Sequence, residues 1–274
     1  SLSFEDLIDS SNMNTDYYVQ IAETIEANHE KYDGFVILTG SDTMSYISSA
    51  ISFMFENLQK PIIFTGSQLP IGDLRTDAKE NLITTIEIAA ARKNGKPIIS
   101  EVGLYFEYKL YRANRTTKIN AAQFEAFTSM NYPPLAESGV HLNFNEPLLH
   151  SQKDIAEKLV VRKKLDTNIA ILKLFPGITK NVVESILQIQ DLKGIVLETY
   201  GAGNALTQAW FRYLLNTSIQ NGIQIVNVTQ CVGGSVILGH YETSVAMKEI
   251  GVVNGKDITT ESAIAKLMYL LGEN

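Results

Sequence analysis

The sequence predicts an α/β protein in two lobes: a larger N-terminal lobe with a mostly parallel sheet and a smaller C-terminal α/β lobe. Three observations lead to this class. Short β-branched runs alternate with amphipathic stretches, turns containing Gly or Pro separate them, and the alternation stops once and then restarts near residue 168. Strands that alternate with helices at this spacing form βαβ units, in which the strands are parallel.

The N-terminal lobe begins with a β-branched run over 35–39, a polar turn, and a stretch over 44–58 whose apolar residues recur every three or four positions. That period is typical of a helix with one buried face. Two further strands are predicted at 61–65 and 97–106, with a helix between them over 77–94. The buried face of this helix is predicted to be formed by Leu82, Ile83, Ile86 and Ala90.

After residue 106 the pattern loosens into short extended pieces, and residues 151–167 are charged and have no apolar period. We therefore predict an N-terminal domain over 1–150, a linker over 151–167 and a C-terminal domain over 168–274. The elements predicted in the C-terminal domain are strands at 169–174, 195–198 and 223–229 and helices at 178–190, 205–219 and 260–271. Thr259 or Thr260 is expected to be the N-cap of the last helix.

The composition argues against several classes of function. The 274 residues include 30 acidic and 23 basic side chains, for a net charge of −7, and 45% of them are apolar. This apolar fraction is enough for a substantial core, whereas nucleic-acid binding relies on clustered Lys and Arg. No apolar run approaches the ~20 residues of a membrane-spanning helix. A lone Cys231 cannot form an intrachain disulfide, which favours a reducing, cytoplasmic location.

Several motifs of cofactor and metal chemistry are incomplete. The Gly-rich turn over 201–203 follows a strand, but Leu206 stands where a dinucleotide motif needs its third Gly. There is no G-x-S-x-G elbow of a Ser-His-Asp hydrolase. The histidines are scattered and form no metal-binding spacing, so we expect neither metal nor cofactor. They are His29, His141, His150 and His240.

The most informative segment is Gly-Ser-Asp-Thr-Met over 40–44, between the end of a strand and the start of a helix. A hydroxyl, a carboxylate and unpaired backbone N–H groups meet in this turn. Such a set can hold the carboxylate and ammonium groups of an amino acid and assist proton transfer. The alternative is that Ser41 or Asp42 simply caps the following helix.

Further segments change the balance between these alternatives. Together they resemble the L-asparaginase family, specifically the cytosolic type I enzymes of bacteria, and the resemblance runs in order through essentially the whole chain. Besides residues 40–44, the matching segments are 9–13, 65–70, 74–77, 114–118, 200–204 and 227–231.

The resemblance implies hydrolysis of the side-chain amide of asparagine, and sometimes glutamine, without metal or cofactor. In the family, a Thr in a Thr-Gly-Gly-Thr turn attacks the amide and carries the acyl group. A second hydroxyl, which corresponds to Ser41, works with a carboxylate and a lysine, which correspond to Asp42 and Lys118. A hydroxyl nucleophile needs a base to take its proton. The residues implied to bind substrate are Asp9, Ser10, Ser11, Ser41 and Asp42.

The chain departs from the family pattern in four places, one of which is Ser41, which keeps the hydroxyl of the motif threonine that it replaces. No Thr-Gly-Gly-Thr turn occurs in the 274 residues. Because the family has this turn before the segment that matches 9–13, Ser1 is expected to be the start of a fragment that does not hydrolyse amides by itself. Thr39 replaces a histidine of the family motif. The chain ends at Asn274, earlier than is usual in the family, so the C-terminal domain is expected to be truncated.

Some type I enzymes carry a regulatory pocket for asparagine. The matching positions include Glu198, where the family has an arginine, so the charge is inverted and we do not expect asparagine to regulate the protein there. The resemblance also implies a dimer or a dimer of dimers, in which Asn204 reaches or supports a neighbour's site. The positions assigned to an effector pocket or an intersubunit role are Thr117, Asn204 and Cys231.

Two other functions remain open at this point. One is the glutaminase-type subunit of a tRNA-dependent amidotransferase. The other is a catalytically silent homologue that binds amino acids, which the loss of the motif histidine at Thr39 favours. Turnover of asparagine and glutamine distinguishes an asparaginase from the amidotransferase subunit. Calorimetry with aspartate, together with an ammonia assay, distinguishes both from the silent homologue.

Overall fold

A computed structural model describes residues 1–5, 7–150, 157–239 and 242–274. The chain divides into two compact units, Ser1–Lys163 (unit 1) and Lys164–Asn274 (unit 2). Residues 151–156 of the predicted linker lie outside the described residues. Within the described part of the chain, no helix is both long and apolar enough to cross a bilayer.

Unit 1 is built around a mixed sheet. Its helices and strands, in chain order, are α1 (Thr15–Asn28), β1 (Phe35–Leu38), α2 (Met44–Met54), β2 (Phe55–Glu56), β3 (Ile62–Thr65), α3 (Ala78–Ala90), β4 (Arg92–Lys93), β5 (Lys96–Pro97), β6 (Val102–Phe106), β7 (Lys109–Arg112), β8 (Thr117–Lys118), β9 (Phe127–Thr128), β10 (Ala136–Ser138), β11 (Leu142–Phe144) and β12 (Val160–Val161).

The strand order of this sheet is β1-β3-β6-β7-β10-β11. The first three strands are parallel, and the remaining pairs are antiparallel. β3 and β6 are buried along their whole length, as expected for strands that lie between helices and neighbouring strands. The carboxyl ends of β1 and β3 lie side by side, because Leu38 is paired with Thr65.

α2 is the helix that the sequence predicts over 44–58. Its predicted apolar stripe is correct, but its predicted end is wrong. Met44, Ile47 and Ile51 are fully buried. The helix ends at Met54 rather than at 58, because Phe55 takes an extended backbone conformation and pairs with Val161 of β12.

α3 is the helix that the sequence predicts over 77–94, and its predicted buried face is wrong. Ile83 and Ile86 are 65% and 52% exposed. The face that packs against the sheet carries mainly polar residues. Its buried members are Asn81, Thr84, Thr85, Ile88 and Ala89.

The end of this helix and the start of the third strand were also predicted incorrectly. α3 ends at Ala90, and β4 and β5 form a hairpin in place of the last turn of the helix and the first residues of the strand. Asn94 and Gly95 form its turn with φ values of 53° and 79°. Asn-Gly is the preferred pair for a two-residue hairpin turn, and it was the available signal.

Unit 2 contains a parallel sheet of order β13-β14-β15-β16 with helices packed against it. Its core contains buried Leu197, Phe211 and Leu215. Its helices and strands are β13 (Ile169–Lys173), α4 (Lys180–Leu187), β14 (Gly194–Thr199), α5 (Ala209–Gln220), β15 (Gln224–Thr229), α6 (Glu242–Glu249), β16 (Val253–Asn254) and α7 (Thr260–Glu273).

The predicted elements of this lobe are all present, with α6 and β16 in addition. Thr259 is the N-cap of α7, and its hydroxyl accepts a hydrogen bond from the backbone N–H of Ser262. The predicted α/β class is confirmed. In the N-terminal sheet the parallel strands are β1, β3 and β6, and the antiparallel strands β7, β10 and β11 extend the sheet beyond them.

Candidate active site

The turn between β1 and α2 does not serve mainly as a helix cap. The N-cap of α2 is Thr43, whose side chain makes no capping hydrogen bond. Its hydroxyl donates instead to the backbone carbonyl of Ser10, at 2.8 Å. The side chains of Ser41 and Asp42, which are suited to capping, bond other groups. Polar side chains at this helix start are therefore directed away from their own helix.

Lys118 brings a positive charge to this turn. The short helix Ala113–Arg115 and strand β8 carry it there, and Thr116 fixes this segment against α2. The fully buried hydroxyl of Thr116 lies 3.3 Å from Ser45 Oγ and 2.8 Å from the carbonyl of Ala113. A segment without long regular structure is thus held to a helix by buried hydrogen bonds.

Ser41, Asp42 and Lys118 lie together. Lys118 Nζ is 2.8 Å from Ser41 Oγ and 2.6 Å from Asp42 Oδ1. The lysine side chain is 18% exposed, whereas that of Asp42 is 66% exposed. One ammonium group therefore donates to a hydroxyl and a carboxylate at once, and the carboxylate stays open to solvent. Such an arrangement can move a proton and attract a cation.

Gln68 is a site residue to which the sequence analysis assigned no role. Ser41 Oγ donates to Gln68 Oε1 at 3.2 Å, and Gln68 Nε2 donates to the carbonyl of Gln123 at 2.9 Å. Gln68 follows β3, whose carboxyl end lies beside that of β1. Loops at the carboxyl ends of adjacent parallel strands meet at one edge of the sheet, and this rule was the available signal.

Ser10 packs directly against the turn. It begins the short helix Ser10–Asn12 and is buried. A Cβ at Gly40 would stand 2.5 Å from Ser10 Oγ and 2.7 Å from Ser10 Cβ, so only glycine leaves room for this contact.

Asp9 and Ser11 bond to each other. The backbone N–H and the hydroxyl of Ser11 both donate to Asp9 Oδ1, at 2.9 Å each. These two hydrogen bonds hold the pKa of Asp9 below its usual value. The carboxylate of Asp9 thus remains ionised and shapes the short helix around Ser10.

Thr39 connects the two loops through its backbone. Its N–H donates to the carbonyl of Thr65 at 3.0 Å, which continues the pairing of β1 and β3. Its own carbonyl lies so close to Gly66 that a Cβ there would collide with it. Nothing in the structure explains why a threonine replaces the family histidine here.

The unit 2 residues singled out by the sequence lie at the carboxyl ends of β14 and β15. Asn204 forms a bridge with Tyr200, and the N–H of the exposed Cys231 donates to Thr229 Oγ1 at 3.0 Å. Thr117 belongs to β8 of unit 1. These residues are held by local hydrogen bonds within their own units.

Glu198 is buried and already paired. Thr260 Oγ1 donates to Glu198 Oε1 at 2.6 Å, and Lys173 Nζ lies 3.1 Å from Oε2. Both carboxylate oxygens therefore have partners within unit 2, at the position where the family has an arginine.

Among the described residues, no three His, Cys, Asp or Glu side chains converge to hold a metal ion. His29 is buried, and its Nδ1 lies 3.3 Å from Glu30. His150 lies near the buried Glu101, whose carboxylate accepts the backbone N–H of His150 at 3.1 Å. His240 lies outside the described residues.

Comparisons with known proteins agree with this fold. Two family models match the chain: "Asparaginase, N-terminal" over residues 2–150 and "Glutaminase/Asparaginase C-terminal domain" over residues 168–274. The chain belongs to the asparaginase family.

Three relatives illustrate the range of the similarity. L-asparaginase 1 of Escherichia coli K12 is 43% identical over 269 residues, which cover 97% of this chain and 77% of that protein. The crystal structure of L-asparaginase I from Vibrio cholerae aligns with a TM-score of 0.91 at 40% identity, over 99% of this chain and 79% of the other. The 60 kDa lysophospholipase of Mus musculus is 42% identical over 272 residues, which cover 99% of this chain but 47% of that protein.

The contact between Gly40 and Ser10 predicts a large effect of a small substitution. Gly40→Ala should lower the free energy of unfolding by about 1–3 kcal/mol, because its methyl group forces Ser10 away from the turn. Gly72→Ala is the matched control, since a Cβ there meets nothing within 4 Å. It should leave stability unchanged or raise it by up to about 1 kcal/mol. Urea unfolding of both variants tests this, and equal stabilities would contradict the packing argument.

Proposed function

We propose that the protein hydrolyses the side-chain amide of L-asparagine to L-aspartate and ammonia through an acyl-enzyme intermediate. The observation that carries the proposal is the double contact of Lys118 Nζ with Ser41 Oγ and Asp42 Oδ1. The similarity to proteins named L-asparaginase at 40% identity or more supports the same reaction.

In this mechanism Ser41 and Lys118 handle the proton. Amide hydrolysis by a hydroxyl requires that the attacking oxygen lose a proton and that the leaving nitrogen gain one. Ser41 Oγ receives a hydrogen bond from Lys118 and donates one to Gln68. For the step to balance, the Ser41 hydroxyl takes the proton of the attacking hydroxyl and passes its own hydrogen to Lys118 Nζ, 2.8 Å away, which acts as the amine base. The ammonium group so formed then returns a proton to the leaving nitrogen. The lysine charge also stabilises negative charge that develops on the substrate.

Asp42 and the segment around Ser10 hold the substrate. In the described part of the chain, Asp42 contacts Lys118 through Oδ1, and its exposed side chain leaves Oδ2 for the α-ammonium group. The α-carboxylate is held by the Ser10 hydroxyl and by backbone N–H groups of the turn, with Asp9 and Ser11 fixing the local backbone. The attacking Thr of the family's Thr-Gly-Gly-Thr turn has no counterpart among these groups.

The glutaminase-type amidotransferase subunit is a weaker alternative, because the relatives named asparaginase are similar over most of their own length. A catalytically silent homologue would bind aspartate without releasing ammonia from asparagine. Calorimetry with aspartate, together with an ammonia assay, distinguishes it from an enzyme.

The proposed domains are 1–150 and 168–274, joined by a linker over 151–167. The spans of the two family models support these boundaries. We further propose a cytoplasmic location, no nucleic-acid or membrane partner, and no cofactor. Thr117, Asn204 and Cys231 are proposed to face an effector pocket or a neighbouring subunit.

Replacing the lysine tests the proton-handling role. Lys118→Met, made in the protein expressed from the complete native gene, should lower kcat by about 10²–10⁴-fold. This is the usual contribution of a general acid–base group. Lys93→Met is the control, because Lys93 pairs with Glu146 through an exposed contact at 2.6 Å. It should retain full activity. Comparable rates of ammonia release by the two variants would exclude Lys118 from catalysis.

The substrate grip also predicts a preference for asparagine. A site that holds both α-groups fixes the distance to the amide, so one extra methylene is worth about 10–200-fold in such a pocket. We therefore expect kcat/KM for asparagine to exceed that for glutamine by this factor. Equal values for the two amides would contradict the proposed grip.

Assembly is the last part of the proposal. We expect a dimer or a dimer of dimers, because the family builds each site from two subunits and the segment around Asn204 matches the family. Light scattering at micromolar concentration measures the mass of the particle. A monomer at that concentration would rule out a shared site.

A further inference from the structure

A buried polar network supports the loop that carries Gln68. The Asp77 carboxylate accepts the N–H of Gln68 at 2.9 and 3.1 Å and the N–H of Leu69 at 3.1 Å. Asp77 occupies the N-cap position of α3 but makes no capping bond to its own helix. The hydroxyl of Thr76 accepts the N–H of Ala78 in its place, at 3.0 Å. The carboxylate is therefore committed to the loop.

Asn81, one turn further along α3, extends this network. It is fully buried, and its Nδ2 donates to the carbonyl of Gly66 at 3.0 Å and to Asp77 Oδ2 at 3.1 Å. Its Oδ1 accepts the N–H of Glu107 at 3.2 Å. Every polar atom of this side chain has a partner, so Asn81 holds three separate segments in one arrangement.

The Glu107 end of the network is a strained turn. Glu107 and Tyr108 join β6 to β7 with φ values of 45° and 64°, in the left-handed region that residues other than glycine rarely adopt. Strained backbone persists where surrounding contacts hold it. The bond from Glu107 to Asn81 is one such contact, so α3, the loop and the hairpin constrain one another.

The loop passes this constraint to Ser41. Gly66 lies against the carbonyl of Thr39, which leaves the loop no room to approach β1 more closely. Gln68 accepts the hydrogen of the Ser41 hydroxyl, while Lys118 donates to the same oxygen. With its hydrogen directed to Gln68, the oxygen offers its remaining lone pair to a third group. Because Gln68 sets the direction of the Ser41 O–H, its position determines from which side the Ser41 oxygen can accept a proton.

We propose that Asp77 and Asn81 are positioning residues for the Ser41 hydroxyl, acting through the loop over 66–69 and the side chain of Gln68. The inference rests on the proposed amidohydrolase function of the same site. Neither residue touches substrate; both act through the geometry of another group.

The first test is Asp77→Asn in the protein encoded by its own gene. The variant keeps the size of the side chain but places an amide donor against Asn81 or the loop N–H groups. We expect kcat to fall by about 10–100-fold, as for a misplacement of about 1 Å, with KM within about threefold. Thr85→Val is the matched control. It lies buried on the same helix and loses a hydrogen bond to the carbonyl of Asn81 without reaching the loop. Its kcat should stay within about twofold.

A double-mutant cycle separates positioning from a general loss of stability. If Asp77 acts through Gln68, then Asp77→Asn should cost less than about twofold in kcat when Gln68 is already Leu. The same loss in both backgrounds would overturn the proposal. So would a kcat for Asp77→Asn equal to that of Thr85→Val.

A second variant covers the case in which Asp77→Asn does not fold. Asn81→Leu removes every polar atom at similar volume and should lower kcat in the same way. A leucine is chosen over an aspartate because a carboxylate at 81 would stand directly against that of Asp77. Burial and the carboxylates of Asp77, Glu80 and Glu125 already raise the pKa of the neighbouring Glu107.

Crystal structures of these variants give a readout that does not depend on activity. The contact of 3.2 Å between Ser41 Oγ and Gln68 Oε1 should be lost in Asp77→Asn and in Asn81→Leu and kept in Thr85→Val. Its retention in the first two would overturn the positioning role at any level of activity. Absence of ammonia release by the unsubstituted protein would refute the proposed function alone.

Discussion

The parallel pairing of β1 with β3 is the constraint on which the candidate site depends. It sets Leu38 opposite Thr65, so the chain leaves both strands at the same edge and in the same direction. Gly66 then lies against the carbonyl of Thr39, a contact that a side chain would prevent. Because two loops begin from one fixed point, Ser41 and Gln68 meet although 27 positions separate them. The antiparallel part of the sheet contributes no such edge, since its strands end alternately on opposite sides.

The ion pair between Lys118 and Asp42 contributes more to chemistry than to stability. An exposed pair stabilises a fold by about 0–1 kcal/mol, because water screens it and side-chain entropy opposes it. Asp42 is largely exposed, so this limit applies here. The anchoring of Lys118 comes instead from the buried Thr116, whose hydroxyl bonds a carbonyl on its own segment and approaches Ser45 on α2. The fold thus holds the backbone firmly beneath a charged group that stays accessible to a substrate.

Sequence reasoning succeeded where hydrophobic period and structure coincide, and failed where polar residues are buried. The stripe beginning at Met44 is apolar and buried, so its period identified both the helix and its face. α3 shows the opposite case, since Asn81 and Thr85 are buried and Ile83 is exposed. A pattern rule assigns the apolar side to the core, but here the core side carries hydrogen bonds to a loop and to a hairpin. Those partners lie far away in sequence, so no local pattern contains them. The family motifs identified Ser41 and Lys118 because each lies in a recognisable local segment. The hydrogen bond from Ser41 to Gln68 joins two separate segments, so only the structure reveals it.

The starts of α2 and α3 show one physical principle used twice. Asp and Thr are favoured at N-caps because their side chains can accept the free N–H groups of the first turn. Thr43 and Asp77 occupy those positions and bond the Ser10 carbonyl and the loop N–H groups instead. α2 forgoes a capping bond, worth about 1 kcal/mol, whereas at α3 the Thr76 hydroxyl accepts the N–H of Ala78 in place of Asp77. In both helices the side chain at the N-cap position fixes a segment that borders Ser41. Exchange of a local stabilising contact for a distant one is expected where geometry has to be fixed across separate parts of the chain. On this argument the polar residues at these two helix starts belong to the site as much as to the helices.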